Sequence, residues 1–415
     1  MEELAAAVRR GDAEEVRALL ESGAGPEVLD DGLPVLCRAV AAYDRPVAEA
    51  LIEGGADPQH RLPDGSTPLL RAVDGGCVSM TVALLPEPAG LGPADREELL
   101  DRARHWTRTG VEAELRRRTG ATGPAERNRV EDRHGFCHYD QVTAGGLTAW
   151  DGHAAVLSLL EAHFGIRTPF GELLARALVR PDRDHAVWSE AVSTLARRMD
   201  EDTWTQAVAL SRAADRVQRL FAAELLLGLH LGDVVGHAPF DGRGQEVFLP
   251  WAAAEKDPEV LAAVLNGLTE EDGPEIEAMG LTYRTHPYPV VRSLVLDALE
   301  RGEDRLLVRP GNLATVFTLA RDPDEHVRWK ACSWLASYPE RSPEIGDALV
   351  ALTHDTFQAV RAYAVQGLAE RDDPRCVEGD RRIGPVDPDG PWYDEWVLGA
   401  TWRYEWRRQD AAEHS

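Results

Sequence analysis

Apolar residues recur three and four positions apart along most of the chain, in short segments divided by Gly, Pro and Asp, which predicts many short amphipathic helices. In the first hundred residues this pattern repeats. Ala7 aligns with Ala39 and Ala72, offsets of 32 and 33 residues, and Ser22-Gly23-Ala24-Gly25 aligns with Gly54-Gly55-Ala56-Asp57. In the second copy Val47 to Ile52 forms a short apolar helix face and Gly54-Gly55 stops it. Asp64-Gly65-Ser66-Thr67-Pro68-Leu69 then opens the next unit. Glycine accepts the positive φ that ends a helix, threonine caps the next one, and proline fits its first turn.

From Leu91 to Phe170 the pattern is weaker. Glu97 to Thr119 predicts an Arg-rich helix broken by Gly120, and Arg129 to Thr148, with Gly135, Gly145 and Gly146, predicts a long loop or small hairpin. Asp151 is the expected cap of a helix over Ala154 to His163. Beyond it a second repeat begins, built on a valine followed by a polar or basic residue and an Ala/Leu-rich helix. Six copies carry Val187, Val217, Val260, Val291, Val327 and Val360, spaced by 30 to 43 residues, and several open on an Asp-Pro turn.

The stretches "GDAEEVRALLESGA", "EALIEGGADP" and "DGSTPLLRAV" closely resemble ankyrin repeats, about three of them, with Asp30-Asp31-Gly32-Leu33-Pro34-Val35 a degenerate opening. The later stretches "DPEVLAAVLNGL", "YPVVRSLVLDAL", "DPDEHVRWKACSWLA" and "TFQAVRAYAVQGL" resemble HEAT repeats, particularly the short bacterial form first noted in phycobilin lyases, over Pro181 to Arg371. Together the resemblances imply an all-α helical repeat solenoid. Its expected parts are an ankyrin-repeat domain over 1–100, a connecting region over 101–170, a HEAT-like domain over 171–372 and a linker with a Trp-rich segment over 373–415.

The HEAT resemblance implies that the helix after the Asp-Pro turn lines a concave docking side. Arg292, Arg328, Lys330, Arg361 and Tyr363 would lie on or beside it. Two roles are open for the arginines. They bond an aspartate or carbonyl of the adjacent repeat, as HEAT arginines commonly do, or they form a basic strip for a carboxylate-rich partner, and both roles can hold at once. On the second reading, charge reversal at Arg328 and Arg361 weakens binding and spares stability.

The tail has linker prolines at 374, 385, 388 and 391, then "PWYDEWVLGATWRYEWRRQD". A helix through Trp392 to Arg407 would gather Trp392, Trp396, Trp402 and Trp406 on one face, either to cap the last repeat or to dock a partner.

Composition narrows the function classes. The 415 residues carry 45 Lys and Arg against 71 Asp and Glu, a formal net charge of −26, which opposes attraction to nucleic acid or anionic lipid. Lys256 and Lys330 are the only lysines, and so Arg-rich a composition suggests a high-GC bacterial genome. The absence of a long apolar run, together with the Met1-Glu2-Glu3 start, predicts a cytoplasmic protein without a membrane role. Cys37, Cys77, Cys137, Cys332 and Cys376 are scattered and are expected to be reduced core thiols.

Catalytic constellations are scarce. His134, Cys137 and His138 cluster without a second ligand pair, and Gly242 and Gly244 read as a turn without the Lys-Ser/Thr of a phosphate loop. No metal or cofactor is expected. The expected function is therefore a non-catalytic scaffold for one or more proteins. The alternatives come from the HEAT resemblance alone: a DNA glycosylase, with Trp329, Trp334 and Asp297 on the concave side, or a bilin lyase.

Overall fold

The computed structural model describes residues 2–232, 240, 242–270, 273–299, 310–388, 390 and 392–414; Met1 and the linker residue Pro391 lie outside them. The fold is an all-α helical repeat. The chain divides into two compact units, Met1–Gln206 and Ala207–Ser415.

The first unit opens with helix pairs, α1 (Glu2–Arg10) with α2 (Ala13–Glu21), α3 (Val35–Ala42) with α4 (Arg45–Glu53), and α5 (Pro68–Gly75) with α6 (Val78–Leu84). Two-residue strands β1 (Leu29–Asp30) and β2 (Leu33–Pro34) pair between the first two. The same capping chemistry recurs. The Asp12 carboxylate accepts from the Glu15 amide at 2.9 Å, Asp44 from the Val47 amide at 3.1 Å and the Thr67 hydroxyl from the Leu70 amide at 3.1 Å. Leu4, Val16, Val47, Leu51, Leu69 and Met80 are buried in one continuous core.

The single helix expected near residue 100 is two, α7 (Pro93–Thr109) and α8 (Val111–Thr119), because Gly110 sits at φ +80°. The loop or hairpin expected over 129–148 is a three-stranded antiparallel sheet, β3 (Glu126–Asp132), β4 (Cys137–Ala144) and β5 (Leu147–Trp150). Val130 faces Tyr139 and Val142 faces Ala149 in its register. Only Cys137, Tyr139, Val142 and Ala144 of β4 point inward, among polar neighbours, so the alternation is faint in the sequence.

The unit continues with α9 (His153–His163), α10 (Phe170–Val179) and α11 (Ala186–Ala196); the division between units falls inside α12 (Glu201–Leu210). Asp151 does not cap α9, whose N-cap is Gly152. Its carboxylate instead accepts from the Asp140 amide at 2.8 Å and bonds His185 Nε2 at 2.9 Å and the Arg180 guanidinium.

The sheet is locked onto the helix pairs at Gly76. A Cβ there would stand 2.1 Å from the Trp150 carbonyl and 2.6 Å from His153 Cε1. Around this contact Tyr43 stacks on Trp150 at 4.1 Å and Trp106 on His153 at 4.3 Å. Asp74 accepts from Trp106 Nε1 at 2.5 Å and from both terminal nitrogens of Arg118 at 3.1 Å. Burial draws the His153 imidazole down to about 4, so it stays neutral in this apolar stack.

The second unit contains α13 (Arg216–Leu231), α14 (Arg243–Ala254), α15 (Pro258–Leu268), α16 (Pro274–Thr282), α17 (Pro289–Leu299) and α18 (Pro310–Leu319). It ends with α19 (Glu325–Ser337), α20 (Pro343–Leu352), α21 (Gln358–Glu370), α22 (Cys376–Asp380), α23 (Glu395–Leu398) and α24 (Ala400–Glu413). Helices α13, α15, α17, α19 and α21 pack on one another in succession, and α14, α16, α18 and α20 each pack on the helix that follows. The periodic valines explain the stacking: Val260, Val291, Val327 and Val360 are buried one turn into their helices, followed by buried Val264, Val295, Ala331 and Ala364.

Gly76 and Gly65 separate backbone strain from packing. Both have positive φ, +72° and +80°, but a Cβ at Gly65 meets nothing within 4 Å. Gly65→Ala is expected to cost about 1 kcal/mol. Gly76→Ala, which adds a clash with backbone, is expected to cost about 3 kcal/mol or more in thermal unfolding.

Candidate partner-binding site

The three candidate arginines occupy one structural position, the fourth residue after the residue preceding the helix, in α17, α19 and α21. Arg292 donates from Nε to Asp322 Oδ2 at 2.7 Å and from Nη2 to Oδ1 at 2.6 Å, and Nη1 reaches the His286 and Pro287 carbonyls. Arg328 repeats this with Asp355 at 2.7 and 2.8 Å and the carbonyls of Asp322 and Pro323. Arg361, at the last repeat, bonds carbonyls throughout: Arg382 at 2.8 Å, Ile383 at 3.0 Å and Asp355 at 2.7 Å.

Arg219 in α13 makes the same rung with Glu255 at 2.9 and 3.0 Å. The acid of each rung stands two residues before the next helix cap and also accepts backbone amides, Asp257, Asp324 and Phe357 in turn. Leu261 holds the equivalent position in α15 and His286 replaces the acid. The rung is missing there on both sides at once, so no buried charge is left alone.

These guanidinium groups are therefore engaged within the chain, in the bridging role that was one of the two expected for them. Lys330 is likewise paired with Asp297. Tyr363 meets Trp329 edge to face at 5.8 Å, and Trp334 is buried and stacked on Tyr338 at 5.0 Å. Asp297, Trp329 and Trp334 are thus engaged with their neighbours. In the first unit Cys137 points into the core while His138 follows it on the other side of β4, so the His134, Cys137 and His138 cluster does not converge. All five cysteines are buried and free.

The tail is not one tryptophan face. Gly399 divides α23 from α24, and the side chains that pack on the last repeat are Val397, Ala400 and Tyr404, with Trp392 partly buried beside them. Trp396, Trp402 and Trp406 are 62%, 67% and 56% exposed. The Arg403 guanidinium lies 3.8 Å from the Trp396 ring centroid, and Arg407 donates to the Ala369 carbonyl at 2.7 Å. The break at Gly399 turns the expected stripe away from the repeat, and the smaller Val-Ala-Tyr stripe takes its place.

Two open grooves lie where helix-to-helix turns meet a rung. One, of about 560 Å³, is lined by Arg212, Arg219, Val247, Trp251, Glu255 and Lys256. The other, of about 460 Å³, is lined by Phe317, Arg321, Arg328, Leu352, His354 and Asp355. Both volumes fall within the range of ligand-sized pockets. They are repeat equivalents, for Arg212 precedes Arg219 by seven residues, as Arg321 precedes Arg328. Arg212, Lys256 and Arg321 are exposed and, among the described residues, make no ion pair. The sequence reading missed them, although the repeated seven-residue Arg spacing was a signal within reach.

The architecture defines a helical repeat protein, and part of its second unit is similar to a known family. The family described as HEAT repeats matches residues 276–369, from α16 through α21. Among solved structures, YibA of Escherichia coli is similar at 16% identity and a TM-score of 0.43, covering 57% of this chain and 93% of that one. An engineered protein is similar at 16% identity and a TM-score of 0.43, covering 98% and 93%. No curated protein matches the chain. Among the described residues no helix is long and apolar enough to cross a membrane.

Two predictions follow from the buried contacts. Arg292 and Asp322 side chains are 10% and 6% exposed, so Arg292→Ala, which strands the carboxylate, is expected to lose about 3–5 kcal/mol in denaturant unfolding. The rungs also set an acid limit. Burial raises the Glu255 carboxyl, but bonds from Arg219, the Asp257 amide and Trp251 outweigh it and draw it from 4.5 to about 2; Asp322 and Asp355 are lowered from 3.8 by the same balance. Protonation is disfavoured in the folded state, so this stabilisation is whole above about pH 4.5 and declines as pH falls toward about 2, measurable by unfolding at stepped pH.

The tail gives a second pair. Tyr404, 4% exposed, is expected to cost roughly 3 kcal/mol when changed to Ala. Trp402→Ala should stay within about 0.5 kcal/mol in the same melts.

Proposed function

We propose that the chain is a non-catalytic scaffold that binds one or more other proteins through its repeat surfaces. In this reading the helix pairs over 1–100 are ankyrin-type, the HEAT-type array extends over 171–372, and the protein works in the cytoplasm. HEAT repeats commonly serve as protein-interaction scaffolds, and the match over 276–369 supports that class. The recurring caps at Asp12, Asp44 and Thr67 support a repeated N-terminal unit, and five free, buried thiols suit a reducing compartment.

The observation that carries the reading is the division of charge in the second unit. The arginines of the rungs hold repeat to repeat, while a separate set of exposed cations borders apolar grooves that no described residue fills. A surface built this way offers apolar and charged contacts to another polypeptide.

The test is affinity capture from native cell extract on the intact protein, followed by crosslinking and mass spectrometry. A discrete protein retained above a mock column and crosslinked to helices of either unit is the expected result. Retention of nucleic acid or pigment in place of protein would overturn the scaffold reading.

A further inference from the structure

We propose that the two grooves of the second unit together hold one extended acidic segment of a partner protein, its apolar side chains seated in the grooves and its carboxylates facing Arg212, Lys256 and Arg321. This rests on the scaffold reading and gives the partner a chemistry.

Charge is the first argument. In a chain of net −26, ion pairing absorbs most arginines, yet each groove keeps an excess cation. The first has three cations, Arg212, Arg219 and Lys256, against two carboxylates, Glu246 and Glu255. The second has two, Arg321 and Arg328, against Asp355. Arg219 and Arg328 are satisfied by their rung acids, so the uncompensated charge resides on the exposed rim residues. His354, exposed beside Asp355 in the second groove, adds a further donor there.

The floor is the second argument. Val247, Pro250 and Trp251 line one groove and Phe317, Ala348 and Leu352 the other. An apolar floor under a cationic rim suits a side chain such as Phe or Leu flanked by Glu or Asp. It does not suit a nucleic acid strand, which presents a phosphate about every 3.4 Å and needs a denser row of cations than one excess charge per groove.

Spacing is the third. The grooves are three repeats apart, the turn after α12 to that after α18, and packed helices advance by 8–10 Å, so they lie roughly 25–30 Å apart. An extended chain covers that length in about eight residues. One short segment therefore reaches both grooves, and simultaneous engagement raises its affinity over either alone.

The experiment uses the full chain and a fluorescein-labelled synthetic peptide of two Glu-Phe-Glu blocks on a Gly-Ser spacer, the phenylalanines about eight residues apart. Anisotropy is expected to show binding that falls about tenfold with Arg212→Glu plus Lys256→Glu, and about tenfold with Arg321→Glu. It should fall similarly when Gln replaces Glu in the peptide, or when the spacer is halved. The Gln peptide keeps the test independent of how the protein variants fold.

Equal binding of the Gln and Glu peptides, insensitivity to either groove, or tighter binding of an oligothymidylate than of the peptide would overturn the proposal. So would no binding up to about 1 mM peptide. These failures leave the capture experiment untouched, since a folded partner surface could still be retained there; failure of capture alone would remove the scaffold reading.

Discussion

The second unit depends on one contact, the bidentate bond from a helix arginine to an acid in the turn of the next repeat. Arg292 to Asp322 and Arg328 to Asp355 are the clear cases, and Arg219 to Glu255 is a longer-armed version of it. Each rung performs three tasks. The guanidinium satisfies carbonyls of the turn before its own helix, bridges to the next repeat, and neutralises an acid that is itself holding the amide of a helix cap. Burying such a pair is tolerable only because every donor and acceptor finds a partner. At the junction of α15 and α17 the leucine and histidine, Leu261 and His286, abandon the pair together, as that condition requires.

The first unit is held by a different device. There the backbone of Gly76 comes so close to Trp150 and His153 that a side chain cannot fit, and aromatic stacking around it joins the helix pairs to a small sheet. Asp74 gathers Trp106 and Arg118 at the same place. A buried neutral histidine and a buried indole are acceptable in this setting because Asp74 supplies a carbonyl to one and a carboxylate to the other.

What is left for binding follows from what stability has already claimed. Arginines at the rung position are engaged at the repeat junctions. Arginine and lysine seven residues earlier, or in the turn itself, have no such duty and border grooves of ligand size. The exposed tryptophans of the tail are likewise the residues its packing did not use, since Val397, Ala400 and Tyr404 already cover the last repeat.

The helices, their caps and the repeat period are legible in the chain alone, because these depend on neighbours a few residues away: Thr67 capping α5, Pro68 in its first turn and the valines buried one turn into α15, α17, α19 and α21. Three other matters rest on contacts between residues distant in the chain. The inward side chains of β4 gain their burial from α8 and α11, so their alternation was too weak to reveal the sheet. Asp151 was drawn from a helix cap to His185 and Arg180, partners about thirty residues away in the chain. Which arginines are free and which are bound depended on acids 27 to 36 residues distant, a pairing that geometry settles and local pattern does not.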